Sequence, residues 1–223
     1  MRIFIFIACL AVTIIAPAAE EAFSLEAIDR TLSEIELHAK QYPLRFTSQI
    51  ERDQVEQKLK RVLRLLDAAA VSYPNDPEIP FRNANANAMG LNFDYPGCAE
   101  KAITTDEHLL EIKPENSTAN FYYGAFLSGT TLFAQSIPYL EKAIRLGDTG
   151  AHYTLAFVYL KQGDTRAALP EFKAYLKVDP ENSVASKMVS DIESGKAQFH
   201  IPNEVPSHDV LVQKPASAAQ PDK

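Results

Sequence analysis

Apolar positions along this chain recur at steps of three and four, the spacing of an amphipathic helix, and short polar or Gly/Pro-containing breaks cut the pattern into hairpin-sized pieces. The clearest piece is 149–180. Leu155, Ala156 and Tyr159 share one helical face, Gly163-Asp164 breaks it, Ala168, Phe172 and Tyr175 form a second stripe, and Asp179-Pro180 stops it. A hairpin of this kind buries one side only, so it predicts neighbours built the same way.

Upstream, the spacing of Leu25, Ile28, Leu32, Ile35 and Leu37 predicts a helix over 23–40 with Ser24 as N-cap, ended by Gln41-Tyr42-Pro43. The longest periodic stretch, 48–72, carries Val55, Leu59, Val62, Leu63, Leu66 and Ala69, with Glu56 and Lys60 placed to pair across one turn. These two helices predict an N-terminal hairpin over 20–76. Asp76-Pro77 then starts a helix running to about Leu91, with Asp76 as N-cap and Pro77 in the first helical position. After the loop 92–97, a second helix is expected over 98–112, and Lys113-Pro114 closes the unit. A third unit begins at Ser117. Beyond Pro180 one more amphipathic helix, through Val184, Met188, Val189 and Ile192, ends at Gly195 within the segment 181–196. The remainder, 197–223, is rich in Pro, Ser, Ala and Gln and is expected to be a disordered tail.

Within 149–180 the order of large and small residues resembles the tetratricopeptide repeat. Counting Thr149 as repeat position 1, Leu155, Ala156, Tyr159, Ala168, Phe172 and Pro180 fall on the positions where that family places its characteristic residues. His152 and Tyr175 stand where the family favours Trp and Ala. The unit from Ser117 matches through Tyr123, Gly124, Leu127, Leu140 and Ala143, with Asp148 in place of the usual Pro. Pro138 and Pro170 lie 32 residues apart, equal to the spacing of the two units. They predict a kinked or late-starting second helix in each. Three repeats are thus expected over 77–180. The resemblance implies an all-α, right-handed solenoid of about four helical hairpins plus a C-terminal capping helix, which identifies an architecture rather than an activity.

Composition narrows the setting. Arg2, the apolar run Ile3–Ile15 and Ala16-Pro17-Ala18 read as a secretory signal peptide over 1–19, so an exported and periplasmic protein is expected. The run is shorter than the roughly 20 residues of a membrane span, and no later apolar stretch is long enough for one. Cleavage would leave Cys98 as the single thiol, with no intramolecular disulfide to form. The formal charge is −7, one more negative without Arg2, which argues against nucleic acid as partner. Asn116-Ser117-Thr118 has the form of a glycosylation acceptor, meaningful only in a eukaryotic source.

Candidate chemistry is sparse. The five histidines, His38, His108, His152, His200 and His208, form no metal-type pair, and neither a Gly-rich phosphate loop nor a G-x-S-x-G is present. No metal or cofactor is expected, and the chain reads as a non-enzyme. Cys98 follows Pro96-Gly97 at a helix start, where a thiolate would be favoured by the helix dipole; the competing reading is a small packed hydrophobe. The resemblance instead directs attention to the inner face, where the family's first helices line a concave groove for partner segments. The matching positions are Phe81, Arg82 and Asn85 in one unit, Phe121, Tyr122 and Ala125 in the next, and Tyr153, Phe157 and Lys161 in the last. Five aromatics on one surface would be an anchor-rich patch for a protein or peptide partner, unless some of them pack against the N-terminal hairpin or the tail. Asn83, Asn85 and Asn87 alternate with Ala, either to bond a peptide backbone or merely to weaken the helix. Lys161 and Arg82 are the only basic candidates, which does not support the carboxylate clamp found in some members. The expected role is a protein-binding scaffold or assembly factor of the cell envelope. The rivals are an enzyme with its site near Cys98 and the 92–97 loop, and a membrane-tethered subunit of an envelope complex.

Overall fold

The computed structural model describes residues 24–40 and 42–196. The expected signal segment 1–19 and expected tail 197–223, with Cys9, His200 and His208, lie outside the described residues. Within them the chain forms helices and no strand: α1 (Leu25–Ala39), α2 (Gln49–Ser72), α3 (Glu78–Asn92), α4 (Cys98–Ile112), α5 (Ser117–Ser128), α6 (Ile137–Arg145), α7 (Ala151–Lys161), α8 (Thr165–Tyr175) and α9 (Ser183–Glu193). Four antiparallel hairpins, α1–α2, α3–α4, α5–α6 and α7–α8, stack in chain order with α9 laid against α8. The expected all-α repeat architecture is the one observed.

Capping chemistry sets most helix starts. Side chains of Ser24, Ser48, Asn116, Asp164 and Asn182 each accept a backbone N–H from the first turn of the helix that follows. Asn116 is therefore engaged by α5, where its Oδ1 takes the Ala119 N–H at 2.9 Å. At α3 the outcome differs from expectation by one residue: Pro77 is the flanking residue, the helix begins at Glu78, and Asp76 Oδ1 accepts the Glu78 N–H at 3.0 Å. The two aligned prolines also diverge. Pro138 lies in the first turn of α6, behind a 3-10 turn over Phe133–Ser136, so that helix starts late. Pro170 sits inside α8, which starts at Thr165 because Asp164 caps it. Helix ends at Gly163 and Gly195 use φ of 78° and 68°, where a side chain would be strained.

The core is a chain of clusters, one at each seam. Ile35, Leu59, Leu66, Met89 and Phe93 join α1, α2 and α3. Ile103, Tyr123 and Leu127 join α4 to α5, Leu140, Leu155 and Val158 join α6 to α7, and Phe172, Ala156 and Ala185 join α7, α8 and α9. Each hairpin completes the burial of its neighbour, the quasi-one-dimensional logic of a repeat stack. The first helices α1, α3, α5 and α7 touch one another in succession, whereas the second helices α2, α4, α6 and α8 have no comparable backbone contacts. Closer spacing places α1, α3, α5 and α7 on the inside of the curve.

Candidate interaction surface

The inner helices carry every residue expected to line a groove, and the structure divides them. Phe81 and Tyr122, on α3 and α5, meet edge to face at 5.4 Å and 83°, bridging adjacent units. Phe121 extends the row, with its ring 5.6 Å from Tyr122. Tyr122 and Phe121 are partly buried and partly exposed, unlike the fully buried core beneath them. Phe121 also packs on the α6–α7 cluster, whereas Phe81 and Tyr122 belong to none of the core clusters among the described residues. Ala125 is partly exposed one turn further along α5.

Tyr153 and Phe157 are placed differently. They meet edge to face at 4.9 Å and 66°, and Phe157 meets the fully buried Phe172 at 5.1 Å and 89°. Tyr175 covers Tyr153 at 4.9 Å. This row is anchored in the α7–α8–α9 core because Tyr175, at a position where the repeat usually has Ala, fills space that a small residue leaves open.

The polar candidates are already engaged. Arg82 grips Asp29 of α1 through two hydrogen bonds, Nε to Oδ1 at 2.6 Å and Nη2 to Oδ2 at 2.7 Å, and Glu78 takes a third at 2.9 Å. Asn85 donates to Glu36 of α1 at 2.9 Å, and Asn92 to the Ala39 carbonyl at 2.9 Å. These bonds fasten α1 to α3. Lys161 donates to the Ser128 carbonyl at 2.6 Å and lies 5.7 Å from the Phe133 ring centre, and burial pulls its pKa down. Asn83 and Asn87 face inward: Asn83 donates to Asp67 at 3.2 Å, and Asn87 to the Asn83 side chain at 2.6 Å. The asparagine alternation thus supports internal packing. The inner face thus carries an aromatic row whose neighbouring cations, Arg82 and Lys161, are held by the protein itself.

The catalytic alternative finds little geometry. Cys98 is buried against Gly90, and burial pushes its thiol above the usual range despite its place at the start of α4. No histidine hydrogen-bonds it among the described residues. His152 pairs instead with Glu171 at 2.6 Å, bracing α7 against α8. No group of three or more His, Cys, Asp or Glu side chains able to hold a metal occurs among the described residues. No helix among them is long and apolar enough to cross a membrane.

One residue escapes the sequence reading. Asp106 on α4 is 4% exposed, and burial alone pushes its pKa up to about 8. Nearby Tyr123 also titrates above its usual range, through burial first and the Glu107 charge second. The available signal was periodicity: Asp106 lies on the stripe formed by Ala102, Ile103, Leu109 and Leu110.

No family model matches the chain. Human aspartyl/asparaginyl beta-hydroxylase is 26% identical over 125 residues, covering 56% of this chain but 15% of the human protein. The mouse counterpart gives the same identity and covers 16% of that protein, so the chain spans under a fifth of the curated relatives it matches. Among solved structures, a crystal structure of MamA superposes with a TM-score of 0.57 at 17% identity, covering 68% of this chain and 86% of that one. MamA from Desulfovibrio magneticus, from residue 41 onward, gives 0.53 at 19%, covering 78% and 88%. A thermophilic TPR protein of Thermus thermophilus gives 0.52 at 16%, covering 76% and 94%. At these identities the likeness concerns the fold, which is that of the tetratricopeptide repeat.

Proposed function

We propose that this protein is a non-catalytic scaffold that holds a segment of another protein against the inner row Phe81–Tyr122–Phe121. The observation that supports the reading most is the Phe81–Tyr122 contact, an aromatic pair that bridges two units while belonging to no core cluster among the described residues. Aromatics that fill no core gap are the residues that supply anchor energy in protein interfaces. With Arg82 and Lys161 engaged internally, the row favours an apolar or aromatic segment over a terminal carboxylate. Export to the cell envelope is part of the proposal, supported by the Ile3–Ile15 run and Ala16-Pro17-Ala18.

A photo-crosslinking amino acid placed at Tyr122 in the native host tests the binding face, with Lys173 on α8 as the control position. A discrete crosslinked product is expected at Tyr122 and none at Lys173, and the product should weaken when Phe81 is changed to Ala. Equal crosslinking at both positions would sink the proposal. N-terminal sequencing of the exported chain tests localisation, with a start near Ala19 or Glu20 expected.

A further inference from the structure

From its C-terminal end, the inner layer has a definite chemical order. α9 shares a cluster with α7, where Met188, Val189 and Ile192 pack with Tyr153 and Phe157. Next comes α5, which carries Phe121 and Tyr122 and has no charged side chain over Ser117–Ser128. Phe81 on α3 follows, and beyond it the carboxylates of Asp29 and Glu78 share the single guanidinium of Arg82. The Arg82 side chain is 14% exposed, whereas Asp29 and Glu78 are 49% and 54% exposed, so solvent meets the acids more than the base. Other charges on this side of α1 balance within their own helix, Arg30 with Glu26 and Lys40 with Glu36. The face is therefore aromatic first and acidic last.

The sequence beyond Lys196 is complementary to that order. It holds one run of three large apolar residues, Val210-Leu211-Val212, with Asp209 before it and Lys214 after it. Leu211 stands 15 residues beyond Lys196. Packed helices lie about 8–10 Å apart, so the path from α9 across α7 to the α3–α5 boundary is about 20–25 Å. A chain of that many residues spans between roughly 20 Å as a flexible coil and about 50 Å fully extended. The run reaches the Phe81–Tyr122 pair without strain, and a segment tethered at matching length competes at an effective concentration of roughly millimolar. Laid across the face in chain order, Asp209 meets the uncharged α5, the apolar run covers the rings, and Lys214 comes beside Asp29 and Glu78. Resting on the reading that this row is a docking face, we propose that segment 210–214 of the same chain occupies it. The row is then closed until a partner segment displaces the tail.

A photo-crosslinking amino acid at Tyr122 in the purified protein tests the contact, with mass spectrometry locating the joined peptide. The expected product is intramolecular and links position 122 to the peptide that holds Val210-Leu211-Val212. Leu211→Asp should cut its yield about tenfold, the scale of losing one buried anchor, and Lys214→Glu should lower it several-fold. Both substitutions lie outside the described helices, and far-UV circular dichroism checks that the fold is kept. Absence of the tail product, an unchanged yield in either variant, or a product formed only between two copies overturns the proposal. In the native host, Leu211→Asp should raise the yield of the partner product at Tyr122 several-fold. A partner product that this variant leaves unchanged overturns tail occupancy and keeps the docking face. A tail product in the purified protein with no partner product in the host keeps the tail contact and overturns the scaffold reading.

Discussion

Gly124 lies directly against Leu140: a Cβ on Gly124 would stand 2.7 Å from Leu140 Cγ, 2.9 Å from Cδ2 and 3.2 Å from the Leu140 backbone nitrogen. The missing side chain lets α5 and α6 cross closely enough for Leu140 to be fully buried. This is the small residue the repeat pattern calls for on its first helix, and the contact supplies the reason.

Gly124→Ala is accordingly expected to cost about 1–3 kcal/mol by overpacking, although Ala alone would favour the helix by roughly 1 kcal/mol. Leu140→Ala should cost about 2–5 kcal/mol. Chemical denaturation of both single variants and the double should give a double-mutant cost at least about 1 kcal/mol below the sum. Simple additivity would mean that the contact does not govern the crossing.

Asp106 makes stability depend on pH in a defined direction. The unfolded chain releases this proton near the usual carboxyl value, and the folded chain holds it up to about pH 8. Between those values the folded state binds more protons, so stability falls as pH rises through the window and is lowest above it. Asp106→Asn should remove that slope and be more stable than wild type at high pH by about 1–3 kcal/mol, since the variant carries no buried charge. Thermal melts across the window check this; an unchanged slope in the variant would assign the dependence elsewhere.

The Arg82–Asp29 fork should hold α1 in place. Arg82→Lys keeps the charge but loses the two parallel bonds, and Asp29 is half exposed, so a loss of about 1–2 kcal/mol is expected. Hydrogen exchange should locate the effect in 25–39 and leave α7 and α8 unchanged. Uniform loss of protection would argue against a local fastening.

Cys98 should alkylate slowly at neutral pH in the folded protein, at a rate well below that of a free cysteine, and rapidly once denaturant is added. Mass mapping of the Cys98 peptide separates it from Cys9. A fast folded-state reaction would revive the enzyme alternative around the 92–97 loop.

How much of this was legible in advance differs from residue to residue. The α4 limits, 98–112, and the Ser24 cap followed from local signals, because capping and periodicity act within one or two turns. Pro138 and Pro170 occupy equivalent places yet behave differently, because Asp164 offers an early cap where the equivalent Leu132 has no polar side chain. Arg82, Asn85 and Lys161 were sensible groove candidates by position, but their partners Asp29, Glu36 and Ser128 are 53, 49 and 33 residues away, beyond any local pattern.

By itself, then, the sequence determined the helical hairpins, their order and the stack they form, since each rests on short-range propensity and on one-sided burial that demands a neighbour. Only the tertiary structure decided which inner-face side chains pack against a core cluster. Phe81 and Tyr122 bridge two units outside the core clusters of the described residues, whereas Tyr153 and Phe157, though also partly buried, pack against the α7–α8–α9 cluster through Phe172 and Tyr175. That packing depends on side chains from another helix, Tyr122 for Phe81 and Phe172 and Tyr175 for Tyr153 and Phe157, which no local pattern specifies.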